Sequence, residues 1–216
     1  MSDAATALHH PAVEPAESPL TPESCGKIGM WIFLAGAAVG FGVLLASYGD
    51  FLLAAYGAMR AGSTDWPNPA QVLGIQLTAL MTFLLICSSV TMVKALENLQ
   101  ASNLPRAKMF ILLTALGGAI FVGLQAYEWT HLIERGLMIF GNPWGATLFG
   151  ASFFIITGFH GLHVTAGVIY LLVTAKRVAS GFYDKRGTYE TVEVAGLYWH
   201  FVDLVWVFIF AFFYLW

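Results

Sequence analysis

Residues 145–175 read GATLFGASFFIITGFHGLHVTAGVIYLLVTA and contain no aspartate, glutamate, lysine or arginine. A helix rises about 1.5 Å per residue, so a run of this length can cross the roughly 30 Å hydrocarbon core of a bilayer. The stretch therefore predicts a membrane-spanning helix. Because ionisable groups are costly in lipid, His160 and His163 within it need a structural or chemical reason to be there.

Four other apolar runs have the same character. Charged residues lie mostly towards their ends, and the chain as a whole is 58% hydrophobic and only 11% charged, which is far less charge than soluble domains carry. Stretches such as LAGAAVGFGVLLAS (34–47) are rich in small residues, which let membrane helices approach closely. We predict an all-α membrane protein, a bundle of five transmembrane helices, with spans at about 28–50, 71–95, 107–131, 145–176 and 190–216.

The lysines and arginines predict the orientation of this bundle, because basic residues accumulate on the cytoplasmic side. Only Arg60 and Arg135 flank one side of the predicted spans. The remaining basic residues flank the other, namely Lys27, Lys94, Arg106, Lys108, Lys176, Arg177, Lys185 and Arg186. We therefore expect a cytoplasmic N-terminus and a periplasmic C-terminus.

The chain divides into two parts. Residues 1–26 are rich in proline and acidic side chains, which predicts a disordered cytoplasmic tail, and they lack the apolar core of a signal peptide. Residues 27–216 form the predicted five-helix transmembrane domain. The net charge of −3 gives no indication of a nucleic-acid partner.

Two pairs of polar residues lie deep in the last two spans. His160 and His163 are three residues apart in the fourth span, and His200 and Asp203 are three apart in the fifth. Residues spaced i, i+3 share a helix face, and both pairs come to comparable depth if the two helices are antiparallel neighbours. We expect a His–Asp and His–backbone network that joins these helices and satisfies each polar group without water.

Other interpretations remain open at this stage. A haem could take one ligand from His160 or His163 and one from His200, although a metal site would need further ligands. Glu128, in LQAYEWTHLIERG (124–136), is either a carboxylate of the membrane interface or a group that fixes the following loop or a partner. The alternatives to a structural role are a stand-alone membrane b-type cytochrome and a small proton or solute transporter.

Four segments resemble subunit III of haem–copper respiratory oxidases, in the same order along the chain. They are KIGMWIFL (27–34), LQAYE (124–128), TGFHGLHVTAG (157–167) and YWHFVDLVW (198–206). The chain is similar to the five-helix bacterial form of that family, which lacks the first two helices of the seven-helix form. The expected topology of the family agrees with the one that the basic residues predict.

The resemblance implies a non-catalytic subunit of a cytochrome c or quinol oxidase that reduces oxygen to water in the bacterial inner membrane. Haem and copper would lie in partner subunits, with none in this chain. The implied partners are oxidase subunit I by direct packing, subunit II and other oxidase subunits, and bound phospholipid. His160, His163, His200, Asp203 and Glu128 would form a structural intramembrane polar network. Headgroup contacts are expected from Lys94, Arg106 and Lys108.

One position departs from the family pattern. Members of the family usually carry a carboxylate in the first shared helix, and the resemblance places Ala37 at that position. Residues 28–49 hold no acidic side chain, so any role of that carboxylate does not carry over to this chain.

Overall fold

Five long helices make up the part of the chain that the computed structural model describes, residues 25–62, 72–141, 143, 147–181 and 189–215. They are α1 (Cys25–Arg60), α2 (Ile75–Gln100), α3 (Leu104–Glu134), α4 (Thr147–Ala179) and α5 (Glu190–Phe210), which a π-helical turn (Ala211–Leu215) continues. Each is long and apolar enough to cross a membrane. The prediction of an all-α, five-span membrane protein is confirmed.

The bounds differ from the predicted spans mainly at the first helix. α1 has 36 residues and continues past Asp50 to Arg60, because FLLAAYGAM (51–59) is still apolar and contains no proline. It ends at Arg60, and Gly62, two residues later, has a φ of +75°, a left-handed conformation that glycine adopts without strain. The tail predicted for residues 1–26 lies outside the described residues except for its last two, which begin α1.

The tight connection between α2 and α3 has clear local causes. α2 ends at Gln100, and Ser102 adopts a positive φ of 57°. The side chain of Asn103 caps α3 by accepting a hydrogen bond from the backbone N–H of Arg106, and Pro105 occupies the first turn, where its missing N–H costs nothing. A connection this short makes α2 and α3 antiparallel neighbours.

α5 lies at the centre of the bundle. It packs against α2, α4 and α1, while α3 fills the gap between α2 and α4. α5 is the most buried of the five spans and α1 the least. An ion pair of 2.7 Å between Lys27 and Glu193 joins the first turns of α1 and α5, so these two helices start at the same end of the bundle.

The indole of Trp199 connects α5 to three neighbouring helices. Its ring lies over Gly118 of α3, where an added Cβ atom would collide with it, and against Gly167 of α4, where an added Cβ atom would be a tight 3.0 Å from it. Its Nε1–H donates a 2.9 Å hydrogen bond to the hydroxyl of Ser88 on α2. Trp199 is 1% exposed. The two glycines form a slot that admits a large aromatic ring between α3 and α4.

Gly118→Ala should destabilise the bundle, because the new methyl group overlaps the Trp199 ring. Overpacking of this kind typically costs about 1–3 kcal/mol. Gly123→Ala on the same helix is the matched control, since nothing lies within 4 Å of its Cβ position. The thermal unfolding of each purified variant in mild detergent tests this, and an unchanged melting temperature for Gly118→Ala would contradict the slot.

Candidate functional site

Hydroxyl groups along α2 bind polar atoms of α5. Besides the Ser88–Trp199 bond, the Nε1–H of Trp206 donates to Thr82 Oγ1 at 3.0 Å, and Ser89 Oγ donates to Asp203 Oδ2 at 2.7 Å. Trp206 and Thr82 are buried. The hydrocarbon core contains no water that could accept hydrogen bonds from these donors. Each interhelical hydrogen bond is therefore costly to break and helps to fix the register of α5 against α2.

Glu128 is the most highly connected polar side chain in this network. The hydroxyl of Tyr214 donates to both carboxylate oxygens, at 3.1 and 3.0 Å, and Thr78 Oγ1 donates to Oε1 at 3.1 Å. The amide of Gln125 lies at 3.5 Å from Oε2 on the same helix. Glu128 is 4% exposed and Tyr214 2% exposed. The carboxylate therefore joins α3 to α2 and to the π-helical turn after α5.

This burial argues against the first of the two interpretations of Glu128, the interfacial carboxylate. An interfacial carboxylate would face water or headgroups, whereas this one is enclosed by the chain. The turn that carries Tyr214 is held further by Phe213, whose ring stacks on Tyr48 of α1 at 3.9 Å between centroids. Glu128 therefore fixes the end of α5 within the bundle, and its described contacts do not include the loop after α3.

His160 lies in an aromatic enclosure rather than in a hydrogen-bond network. Its ring stacks on Trp206 at 5.0 Å and meets Phe121 edge-on at 5.6 Å. It is 1% exposed, and neither ring nitrogen has a hydrogen-bond partner among the residues that the structure describes. Its contacts with α3 and α5 are those of a packed aromatic ring.

His163 contacts the neighbouring helices through its ring and its backbone. Its Nδ1 lies 2.8 Å from the carbonyl oxygen of Phe159, one turn back on α4, and its ring meets Phe41 of α1 edge-on at 5.2 Å. The hydroxyl of Tyr198 on α5 donates to the His163 carbonyl at 2.8 Å. The hydrogen bond from α5 to α4 thus uses a tyrosine and a backbone oxygen.

The expected His–Asp network between α4 and α5 is corrected by these contacts. Within the described ranges, Asp203 bonds to α2, while neither imidazole of α4 bonds to α5. The physical reason is the rotation of α5, which turns its two tryptophans towards α3 and α4. His200 consequently lies on the exposed side of α5, one turn before Asp203 on the same helix.

The placement of His160 does not favour it as a haem ligand together with His200. His160 is enclosed by aromatic rings, whereas His200 faces outward. Among the described residues no cluster of three or more histidine, cysteine, aspartate or glutamate side chains could hold a metal ion, but a two-histidine haem would not need such a cluster.

The three basic residues predicted to meet lipid headgroups have different surroundings. Lys94 forms a 2.7 Å ion pair with Glu97 one turn later. Arg106 lies in the capped first turn of α3. Lys108 lies on a groove of about 380 Å³ whose other walls are apolar and run along α3, formed by Pro105, Met109, Leu112, Leu113 and Leu116.

The sequence identifies the polar residues within the spans, but their hydrogen-bond partners on other helices were not predicted from it. Trp199 and Trp206 are seven residues apart, so they share a helix face, and each needs an acceptor for its indole N–H. α2 carries hydroxyls at Thr78, Thr82 and Ser88. Pairing the donors of one apolar span with the acceptors of another was the available signal.

The Glu128–Tyr214 bond should contribute measurably to stability. Tyr214→Phe removes the phenolic donor and Glu128→Leu removes the acceptor, and together they should cost less than the sum of the single changes. Hydrogen bonds between membrane helices give coupling energies of about 0.6–2 kcal/mol. Thermal unfolding of the four proteins measures this, with Tyr127→Phe as control because Tyr127 is 64% exposed. Strictly additive effects would refute the bond.

Comparison with known proteins finds relatives that are similar to this chain over most of its length. The chain is 34% identical over 207 residues to "Cytochrome c oxidase subunit 3" of Bacillus subtilis, which covers 91% of this chain and 92% of that protein. It is 33% identical over 192 residues to "Cytochrome c oxidase subunit 3" of Alkalihalophilus pseudofirmus, over 87% of this chain and 85% of the other.

A relative named as a quinol oxidase subunit is similar to nearly the same extent. The chain is 32% identical over 188 residues to "Quinol oxidase subunit 3" of Bacillus spizizenii, over 85% of this chain and 83% of the relative. The family model described as cytochrome c oxidase subunit III matches residues 21–216. With its five apolar helices and this match over nearly the whole length, the chain belongs to the cytochrome c oxidase subunit III family and is a multi-pass membrane protein.

Proposed function

We propose that the chain is a non-catalytic accessory subunit of a proton-pumping haem–copper terminal oxidase in aerobic respiration, and that it stabilises the catalytic subunit I. The observation that carries this proposal is the use of its buried polar groups. Glu128, Trp199 and Trp206 all bind other helices of the same bundle. Such contacts rigidify a scaffold, and in this proposal the haem and copper centres belong to partner subunits.

The surface of the bundle supports a role in assembly. α1 exposes much of its apolar length, with Ile32 at 69%, Val39 at 67% and Leu53 at 71%. Bilayer lipid or neighbouring apolar helices can cover such a surface. We infer direct packing on subunit I, contact with subunit II or other oxidase subunits, and a bacterial inner membrane with the N-terminus in the cytoplasm. The bacterial origin of the relatives and the distribution of basic residues support this location.

Bound phospholipid belongs to the same proposal. The groove beside Lys108 is apolar along α3 and has a cation near the helix start. A lipid would lay an acyl chain along Leu112 and Leu116 and place its phosphate near the ammonium group, which electrostatics favours at a cytoplasmic surface. Lys94 is less suited because Glu97 already pairs with it.

Purification tests the subunit assignment directly. A C-terminally tagged chain, extracted from native membranes in mild detergent, should elute as a complex much larger than 23.5 kDa that shows reduced-minus-oxidised haem bands. After dissociation the haem should remain with another chain, and the copurified subunits should identify the electron donor. Haem that stays with this chain alone would support the cytochrome alternative, and elution without partners would refute the oxidase assignment.

The lipid contact has its own test. Lys108→Ala should reduce the amount of anionic phospholipid that copurifies with the subunit, by about one molecule per chain, because the phosphate loses its counter-charge. Lys176→Ala is the matched control, since Lys176 is an exposed cation near the end of α4 and does not line the groove. Quantitative lipid mass spectrometry measures both variants, and equal lipid content would refute the contact.

A further inference from the structure

An exposed histidine lies halfway along the central helix. His200 is exposed on α5, about 15 Å from the start of that helix and about 22 Å from the end of its π-helical turn at 1.5 Å per residue. It shares this face with Leu204 and Val207, which are 54% and 38% exposed. The imidazole therefore meets the surroundings of the bundle at the depth of the hydrocarbon core.

His200 belongs to a group of three polar side chains that we term the α2–α5 polar patch, formed by His200, Asp203 and Ser89. Asp203 lies three residues after His200 on the same face of α5, and its Oδ2 accepts the 2.7 Å hydrogen bond from Ser89. Its Oδ1 is closed off from solvent and has no hydrogen-bond partner among the described residues. Ser89 holds the carboxylate in place beside the helix face that carries His200.

We propose that the α2–α5 polar patch docks a transmembrane helix of another protein chain, one that presents a polar hydrogen-bonding side chain at mid-membrane depth to His200. Acyl chains offer neither donor nor acceptor, so a lipid contact leaves the imidazole unsatisfied in hydrocarbon. Lipid headgroups lie too far from the middle of the helix to reach it. A helix with a hydroxyl, amide, indole or charged group at that depth satisfies the ring.

The surface around the patch suits a helix. Ile86 and Val93 lie one turn on either side of Ser89 on α2 and are 44% and 53% exposed. With Leu204 on α5 they flank the polar centre with apolar side chains, the arrangement in which one interhelical hydrogen bond adds specificity to van der Waals packing. The inference rests on the proposed function, since the membership of a multi-subunit oxidase family supplies a chain of a different kind as the occupant.

Site-specific photocrosslinking in native membranes tests the occupant. A photoreactive phenylalanine analogue replaces Leu204, one turn from His200, and in a separate control it replaces Leu162, which is 70% exposed on α4. We expect an adduct at position 204 whose mass increases by that of another protein chain, and lipid adducts at position 162. At position 204, an adduct with a second copy of this chain, an adduct with lipid alone, or no adduct would each overturn the proposal.

Substitution of the histidine tests its chemistry. His200→Leu should raise the fraction of subunit lost from the complex in detergent by about fivefold, the scale of one interhelical hydrogen bond in a membrane. His200→Gln, which keeps a polar group, should restore most of the retention, and His131→Leu on exposed α3 surface should have no effect. The melting temperature of the isolated His200→Leu subunit should be unchanged, because the side chain is exposed.

The docking proposal and the proposed function can be refuted by different results. Equal retention of His200→Leu and the unsubstituted chain would overturn the docking role of the patch. A large haem-containing complex with only lipid adducts at position 204 would overturn the patch while leaving the subunit assignment intact. A tagged chain that purifies without any larger complex would refute the proposed function itself, and the docking proposal with it.

Discussion

The hydrocarbon surroundings impose one requirement on most polar groups of the spans: because no water is present, a hydrogen-bond partner must come from the protein, and His160, enclosed by aromatic rings, is an exception. The contacts of α5 show how this chain meets it. Trp199 and Trp206 find hydroxyl acceptors on α2, Tyr198 finds a backbone carbonyl on α4, and Tyr214 finds the carboxylate of Glu128 on α3. Each bond acts at a different height along α5, so together they fix both its rotation and its register.

Close packing then determines the relative positions of the helices. The Trp199 ring fits between α3 and α4 only because Gly118 and Gly167 leave room for it. A slot of this kind is specific, since a single methyl group at Gly118 would overlap the ring. The small residues of the spans are therefore not interchangeable: some allow close approach, while others, such as Gly123, border open space.

A bundle held in this way suits a supporting role. Of its deep ionisable side chains, Glu128 and His160 are enclosed, His163 and Asp203 are half-buried, and His200 lies on the outer surface. The enclosed groups contact neighbouring helices of the bundle, and the docking role that we propose uses the outward group. The family match and this separation of inner and outer polar groups both support the accessory role that we propose.

The sequence by itself determined the number of spans, their approximate limits and the family. These follow from uninterrupted apolar length, which depends on the bilayer thickness, and from motifs such as YWHFVDLVW (198–206), whose residues can be compared directly. It also identified Glu128, His160 and Asp203 as residues in need of a partner, because charge in lipid is costly whatever the fold.

Only the tertiary structure decided which contacts those residues make. Spacing of i, i+3 shows that His200 and Asp203 share a face of α5, but it does not show which neighbour that face meets. That depends on the rotation of the helix, which the tryptophans and the glycine slot determine from three other helices at once. For this reason Asp203 pairs with Ser89 rather than with a histidine of α4, Glu128 is enclosed rather than interfacial, and His200 faces outward.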